Sequence, residues 1–135
     1  MKNYYLDTNI CIAYMRGRNL YVIDKVDSYP IENIKIPAIV EAELAVGALK
    51  SIYVEKSIKQ VQEFCDPFEI VPFDENEAWV CGRIRADLER KGIKIGYNDT
   101  LIAATVLSRG GVLVTNNVKE FSRVEGLRVE DWTQE

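Results

Sequence analysis

The sequence predicts an α/β fold in which helices cover both faces of a parallel sheet. Short apolar segments of strand character alternate with longer helical segments, which is the pattern of parallel strands joined by crossover helices. Residues 112–115 are almost entirely apolar, as in a strand that is buried on both faces. The 135 residues contain no repeat, linker or low-complexity tract, so we expect one domain over residues 1–135.

The first half of the chain is expected to contain two strands and four helices. Asp7-Thr8-Asn9 opens an apolar helix that runs to about Arg16 and ends at Gly17, a residue suited to a helix C-terminus. Residues 38–49 are rich in alanine and leucine, which favour helix. The remaining predicted elements here are a strand at 3–6, a helix near 20–28, a strand at 33–37 and a helix at 53–65.

The second half is expected to contain three more strands and two helices. Asp74 and Glu77 have capping-box spacing for a helix over 75–91 that ends at Gly92. The next helix is expected from Asp99 to Arg109, because two glycines follow it. The predicted strands are residues 69–72, 112–115 and 127–129.

The chain contains no histidine, and this absence excludes several kinds of active site. Serine or cysteine catalysis with a histidine base is excluded, as is the histidine pair of metal-free ribonucleases. The three cysteines are widely spaced, so a zinc site is not expected either. Any hydrolytic chemistry must therefore depend on carboxylates.

Charge and hydropathy indicate the partners and the location to expect, but they do not determine the function. The net charge of −4 argues mildly against nucleic acid as a partner, although a carboxylate site would itself supply part of that charge. No apolar run approaches the roughly 20 residues that cross a bilayer. A charge arrives too early for a signal peptide, so we expect a cytoplasmic protein.

Several acidic and amide side chains follow predicted strands or begin predicted helices. Asp7 follows the first strand, Asn117 closely follows the strand at 112–115, Glu43 lies in the second turn of its helix, and Asp99 begins another. In a parallel α/β sheet such positions meet at one edge, where ligands bind. The sequence therefore predicts that these four residues converge.

Each of these side chains also has a purely structural explanation. Asp7 and Asp99 suit helix N-termini, and the asparagines after strand 112–115 suit a turn. Glu43 is harder to explain in this way, because apolar or small neighbours such as Val46 predict that it faces packed surface. Glu41 lies on nearly the opposite side of the helix, so only one of the two glutamates can line a given pocket.

If the acids converge, their repulsion requires protons or a cation. Two carboxylates about 4 Å apart repel by about 4 kcal/mol at an effective dielectric constant near 20. Oxygen ligands without nitrogen or sulfur suit Mg²⁺ or Mn²⁺. Phosphodiester hydrolysis is the natural chemistry of such a site.

The chain resembles the PIN-domain ribonucleases of the VapC type from about residue 4 to residue 132. No single segment identifies the family, but several such segments in this order do. The segments that carry the resemblance are Leu6-Asp7-Thr8-Asn9-Ile10, Glu43-Leu44 with Gly47, Ile84-Arg85-Ala86-Asp87-Leu88, Gly96-Tyr97-Asn98-Asp99-Thr100, Val114-Thr115-Asn116-Asn117 and Gly126-Leu127-Arg128-Val129.

The resemblance implies a three-layer α/β/α PIN-like fold with a five-stranded parallel sheet. It also implies an acidic cluster of Asp7, Glu43 and Asp99 that binds Mg²⁺ or Mn²⁺. Family members often have aspartate where this chain has Asn117, and Glu120 could partly replace that charge. Thr115 and Asn9 would then orient water or the acids.

The resemblance further implies a biological role and partners. The substrate would be RNA, often a transfer RNA loop, and the protein would be a toxin. It would form a homodimer and be held inactive by a small antitoxin of the VapB type.

The expected RNA-contacting side chains lie between residues 83 and 97. A basic ridge there would bind phosphates, although a solvated helix face has the same pattern. We expect Tyr97 to contact a base, whereas Trp79 and the phenylalanines are expected in the core. The early apolar residues Tyr14, Leu20, Tyr21 and Ile23 suit either a partner surface or the core. The residues assigned to RNA binding are Arg83, Arg85, Arg90, Lys91, Lys94 and Tyr97.

Three alternatives stay open at this point. A response-regulator receiver also binds Mg²⁺ at strand ends, but it would need an acidic pair and a lysine that this chain lacks. A haloacid-dehalogenase-type phosphatase would need an aspartate where Asn9 stands. A housekeeping RNA-processing PIN nuclease would share the site but not the toxin role.

Overall fold

A computed structural model describes residues 2–135 and contains one five-stranded sheet whose paired strands are all parallel. In chain order the strands are β1 (Tyr4–Leu6), β2 (Ile34–Pro37), β3 (Glu69–Val71), β4 (Val112–Val114) and β5 (Arg128–Glu130). Their order across the sheet is β3-β2-β1-β4-β5. The predicted fold class is confirmed.

The helices form two groups that follow from the strand order. The chain moves across the sheet in one direction from β1 to β3 and in the other from β3 to β5, so right-handed crossovers place the two groups on opposite faces. The first group is α1 (Thr8–Arg16), α2 (Leu20–Ser28), α3 (Ala38–Leu49) and α4 (Val54–Cys65). The second is α5 (Glu75–Arg90), α6 (Tyr97–Ser108) and the short α7 (Val118–Phe121).

Most element boundaries agree with the sequence prediction, and the differences have local causes. Helix α6 begins at Tyr97 rather than Asp99, because Gly96 takes the N-cap position in extended conformation. The capping box of Asp74 and Glu77 is present at the start of α5. A 3₁₀ turn at Ile31–Asn33 and helix α7 were not predicted, since three or four residues carry too little periodicity.

The strand order argues against the receiver alternative. Receiver domains have the order 2-1-3-4-5, whereas this sheet has β1 between β2 and β4. Among residues 2–135, no helix combines the length and the apolar character that a membrane crossing requires.

The core lies on both sides of the two central strands. Every residue of β1 and β4 is buried, which confirms the prediction made from the apolar run at 112–115. Helix α5 covers its side of the core with Ile84 and Leu88. Burial of this kind fixes the ends of β1 and β4 relative to each other.

The expectation that Trp79 belongs to the core is wrong. Its side chain is 72% exposed, whereas Phe64 is buried as expected, and Phe68 and Phe73 are partly buried against the core. Glu77 is the residue of this helical turn that faces inward, where Ser108 donates to it and Arg109 lies 3.5 Å away. Trp79 follows two positions later and therefore lies on nearly the opposite side of the helix.

The turn into β4 depends on the close approach of Gly111 to Tyr5. A Cβ atom on Gly111 would lie 2.2 Å from Cε1 of the Tyr5 ring and 3.0 Å from the carbonyl oxygen of Asn3. Tyr5 is buried in β1, so its ring has little room to move. Gly111 has an ordinary negative φ, so its backbone conformation alone does not require glycine. Glycine is required here because a side chain would have no space.

We predict that Gly111→Ala destabilises the protein by about 1–3 kcal/mol, the usual cost of forcing extra volume into a packed core. Gly82→Ala is the matched control: Gly82 lies within α5, and a Cβ atom added there would have nothing within 4 Å. Alanine is the better helix former by up to about 1 kcal/mol. Urea unfolding of both variants measures the effect, and equal stability of the two would contradict the packing described.

Candidate active site

The sheet changes direction between β1 and β4, and the candidate site lies at this point. The chain leaves β1 toward one edge of the sheet and leaves β4 toward the other. Crevices at such switch points, beyond the carboxyl ends of the strands, are where α/β proteins bind ligands. Asp7 follows β1 and Thr115 follows β4, and the Asp7 N–H donates to the Val114 carbonyl at 2.9 Å.

Asp7 is a buried carboxylate whose two oxygens are both held. Its Oδ1 accepts from the Thr8 N–H at 2.8 Å, so Asp7 is also the N-cap of α1. Its Oδ2 accepts from the Thr115 hydroxyl at 2.7 Å. Burial raises the pKa of Asp7 although these hydrogen bonds lower it, and the charges of Glu43 and Glu120 raise it further.

Glu43 reaches the same edge from helix α3. The Thr8 hydroxyl donates to Glu43 Oε1 at 2.8 Å, so Thr8 contacts both Asp7 and Glu43. Sequence reasoning assigned Thr8 no role. A hydroxyl directly after the first aspartate was the available signal, but its partner lies 35 residues away.

The expected surroundings of Glu43 were partly wrong. Val46, expected to form packed surface beside it, is 54% exposed, and Glu43 itself is half-buried. Glu41 faces away as predicted: after burial, its charge and hydrogen bond are the main causes that raise the pKa of Cys65 to about 11. The helix therefore directs one glutamate to the site and the other toward a buried thiol.

Asp99 and Glu120 form a pair of carboxyl groups. Asp99 lies in the first turn of α6, and burial together with the charges of Glu120 and Asp7 raises its pKa to about 7. Among the neighbouring charges, that of Glu120 has the largest effect on the pKa of Asp99. Near neutral pH, the site therefore carries less than its full negative charge.

Glu120 is more central than its expected helper role suggested. Burial alone would raise its pKa, but hydrogen bonds from the Gly96 N–H at 3.0 Å and from the Asn117 amide lower it. Helix α7 presents Glu120 one turn after Asn117, which the sequence predicted only as a spacing. These bonds make Glu120 the member of the pair that carries the charge.

Asn117 connects this pair to Thr115. Its N–H donates to the Thr115 hydroxyl oxygen at 3.0 Å, and its side-chain amide donates to Glu120 Oε2. Asn9, expected to orient water or the acids, is exposed, and its side chain makes no hydrogen bond within residues 2–135. Hydrogen bonds thus join Asp7, Thr115, Asn117 and Glu120, while Asp99 interacts with Glu120 through charge and Asn9 lies outside this network.

The acids are close enough for their charges to interact, but their side chains do not form a complete metal site. In the described part of the chain, no three of them have the geometry of a complete metal site. The charges of Asp7, Glu43 and Glu120 nevertheless all raise the pKa of Asp99. Oxygen donors whose like charges require compensation fit a hard divalent cation.

The predicted basic ridge divides into separate parts. Arg85 stacks on the Tyr97 ring, with Cζ 4.9 Å from its centre. Lys91 is paired with Asp87 at 3.0 Å. Arg83 lines a different cavity, between α5, α6 and the segment after α7, so the structure brings only part of the ridge to Tyr97.

The protonation of Asp99 predicts a particular dependence of stability on pH. Because the folded-state pKa is about 7 and the ordinary value is 3.8, the folded chain holds a proton that the unfolded chain releases between these values. The free energy of unfolding should therefore fall as pH rises from about 4 to about 7. Without added metal, Asp99→Asn should remove this part of the pH dependence.

Thermal unfolding in EDTA across that pH range provides the measurement, with Asp66→Asn as control at an exposed aspartate outside the site. Asp99→Asn should raise Tm relative to the unmodified chain at about pH 8 more than at about pH 4. If both variants follow the unmodified chain in parallel, Asp99 does not have the raised pKa described here.

Comparisons with known proteins agree over nearly the whole chain. Residues 4–127 match the PIN domain family. The chain is 37% identical to "tRNA(fMet)-specific endonuclease VapC" of Salmonella typhimurium over 132 residues, 98% of this chain and 99% of that protein. It is 38% identical to "Ribonuclease VapC2" of Haemophilus influenzae, again over 98% and 99% of the two chains.

Solved structures show the same likeness. The chain is similar to a chain in the crystal structure of DNA-bound VapBC from Salmonella typhimurium, with a TM-score of 0.92, 37% identity, and coverage of 98% of this chain and 99% of that one. The VapBC2 structure from Rickettsia felis bound to a promoter DNA fragment gives a TM-score of 0.89 at 35% identity, with coverage of 96% and 98%.

Proposed function

Because this chain belongs to the PIN domain family and, within it, to the VapC ribonucleases, we propose that it is a divalent-metal-dependent endoribonuclease that hydrolyses RNA phosphodiester bonds. We propose further that it is the toxin of a toxin–antitoxin pair. The resemblance found in the sequence is confirmed at this level. The observation that carries the proposal is the group of Asp7, Glu43, Asp99 and Glu120 at the β1–β4 switch point of a chain without histidine.

PIN nucleases generally depend on divalent metal, and the donors of this chain suit that requirement. We assign Asp7, Glu43, Asp99 and Glu120 as the residues that would hold Mg²⁺ or Mn²⁺, since all supply carboxylate oxygens. A bound cation of this kind polarises a phosphoryl oxygen and lowers the pKa of a bound water. Thr8 and Thr115 keep the first two carboxylates oriented through their hydroxyls.

We assign the fourth acidic place to Glu120 rather than to Asn117. The Asn117 amide donates to Glu120, so the Asn117 side chain positions the glutamate. Asn117 is uncharged and cannot itself supply the fourth negative charge. The Gly96 N–H holds the other oxygen of Glu120 at 3.0 Å. A carboxylate one helical turn onward thus supplies the charge that the asparagine lacks.

The raised pKa gives Asp99 a role near neutral pH. With its pKa at about 7, Asp99 holds a proton while the site carries only its own charges. It releases that proton when positive charge enters the site, because attraction to a cation favours the ionised form.

The substrate and partners follow from relatives rather than from geometry. Two of the similar proteins are named "tRNA(fMet)-specific endonuclease VapC" and others are named ribonucleases, so we propose an RNA substrate, with tRNA the first to test. The similar solved structures are VapBC complexes, which supports a VapB-type antitoxin as partner. A homodimer, a cytoplasmic location and a single domain over 1–135 remain proposals.

The decisive experiment compares the unmodified chain with Asp99→Asn, both made by cell-free synthesis so that neither toxicity nor a bound inhibitor interferes. Each is incubated with total RNA in Mg²⁺, in Mn²⁺ and in EDTA, and fragments are mapped. Discrete cuts that disappear in EDTA and in Asp99→Asn are expected. Cleavage that persists in both, or release of phosphate from a simple monoester without RNA cleavage, would contradict the assignment.

A second set of variants tests the fourth acidic place. Glu120→Gln should lower kcat/KM for RNA by more than about 100-fold, because a charged ligand is lost, whereas Asn117→Ala should lower it by about 10- to 100-fold, as for a residue that orients a ligand. Glu125→Gln, at an exposed glutamate just after α7, is the control. A larger loss in Asn117→Ala than in Glu120→Gln would assign the place to Asn117 instead.

A further inference from the structure

We propose that a cavity at the first turn of α6 binds one unpaired nucleobase of the RNA, with the base stacked on the Tyr97–Arg85 pair. We call this cavity the base pocket. Its volume is about 460 Å³, and it is lined by Arg85, Leu88, Glu89, Ile93, Lys94, Ile95, Tyr97 and Thr100. The inference rests on the proposed nuclease function and specifies how the substrate is held.

The base pocket has an apolar floor and a charged rim. Leu88 is buried at its base, with Ile93 and Ile95 partly buried against the core beside it. Arg85 and Lys94 bring positive charge to the rim, where Arg85 also pairs with Glu89 at 3.9 Å. Pockets with apolar walls and a few polar groups at the mouth are typical of small-molecule and base recognition.

Tyr97 and Arg85 provide the stacking surface. The Arg85 guanidinium carbon lies 4.9 Å from the centre of the Tyr97 ring, while the ring remains 73% exposed. Ile84 and Leu88 of α5 are buried, so the exposed Tyr97 ring contributes little to the packed core. An exposed aromatic ring with an arginine on it is a typical platform for an unstacked base.

The base pocket and the acids share the first turn of α6. Tyr97 and Asp99 are two positions apart there, so their side chains leave nearly opposite sides of the helix, and Thr100, next to Asp99, lines the pocket. The adjoining Gly96 N–H donates to Glu120, and Arg123 donates to the Lys94 carbonyl at 3.1 Å, so both sides of the turn are fixed. A base held in the pocket would therefore lie at the same helical turn as Asp99, and flanking nucleotides of an extended strand would reach the acids.

The geometry selects unpaired over paired RNA. A base within a duplex has its faces covered by its neighbours, so it cannot lie on Tyr97 without leaving the stack. The floor offers few groups that could read base edges, because the Thr100 hydroxyl already donates to the Gly96 carbonyl. We therefore expect RNA binding to depend on the stacking of an unpaired base more than on hydrogen bonds to the edges of that base.

The test measures binding rather than cleavage, so that its result does not depend on the chemistry. The probe is a set of RNA decamers of defined sequence with a central 2-aminopurine, whose fluorescence falls when the base stacks. The full chain carrying Asp99→Asn prevents cleavage and serves as the parent. Tyr97→Ala, Tyr97→Phe and Arg85→Ala are added to it, with Tyr53→Ala as the control at a tyrosine that is 66% exposed at the start of α4.

The parent, Tyr97→Phe and Tyr53→Ala should quench the probe on binding. Tyr97→Ala should abolish the quenching and weaken binding roughly 5- to 140-fold, the loss expected for one base–aromatic stack. Arg85→Ala should weaken binding as well, and annealing the decamer to its complement should weaken binding to the parent. Absence of binding, quenching that survives Tyr97→Ala, or equal binding of the duplex would overturn the base pocket.

Failure of the proposed function would be recognised separately. If the unmodified chain cuts no RNA although the decamers bind and are quenched through Tyr97, the pocket stands and the nuclease assignment falls. If RNA is cut but Tyr97→Ala still quenches the probe, only the pocket is wrong.

Discussion

The repulsion among carboxylates gathered at one edge of the sheet is the constraint on which the rest of the site depends. Like charges about 4 Å apart oppose each other by about 4 kcal/mol at an effective dielectric constant near 20, so they meet only where the fold forces them together. The buried strands β1 and β4 provide that force, and Thr8 and Thr115 hold the first two acids by hydrogen bonds. The remaining repulsion is relieved in part by a proton on Asp99, whose pKa is raised to about 7.

The sequence predicted those features that depend on short segments. Asp7 and Asp99 were found because each follows a strand or begins a helix, and Glu43 because its helix left one acid unexplained. Thr8 was missed because its hydroxyl meets a glutamate from another segment, which no local pattern records. Trp79 was misplaced because an aromatic in an amphipathic helix usually faces inward, whereas here Glu77 takes that position.

Asn117 stands where family members often have aspartate, and in this chain Glu120 supplies the negative charge instead. Asparagine retains hydrogen-bonding capacity, and its amide holds Glu120 close to Asp99. Because α7 is only one turn long, no periodic pattern in the sequence indicates that it presents Glu120 at this angle. The same short segment, through Gly96, connects the acids to Tyr97, so the charge arrangement and the proposed RNA contact share one support.

The most direct test of the central claim is the number of protons released when Mn²⁺ binds the unmodified chain. Titration calorimetry in buffers of different ionisation enthalpy gives this number. With the Asp99 pKa at about 7, binding at about pH 6 should release about one proton, and release should approach zero above about pH 8. Binding at about pH 6 without proton release, or no Mn²⁺ binding at either pH, would contradict the view that a proton on Asp99 offsets the repulsion until a cation replaces it.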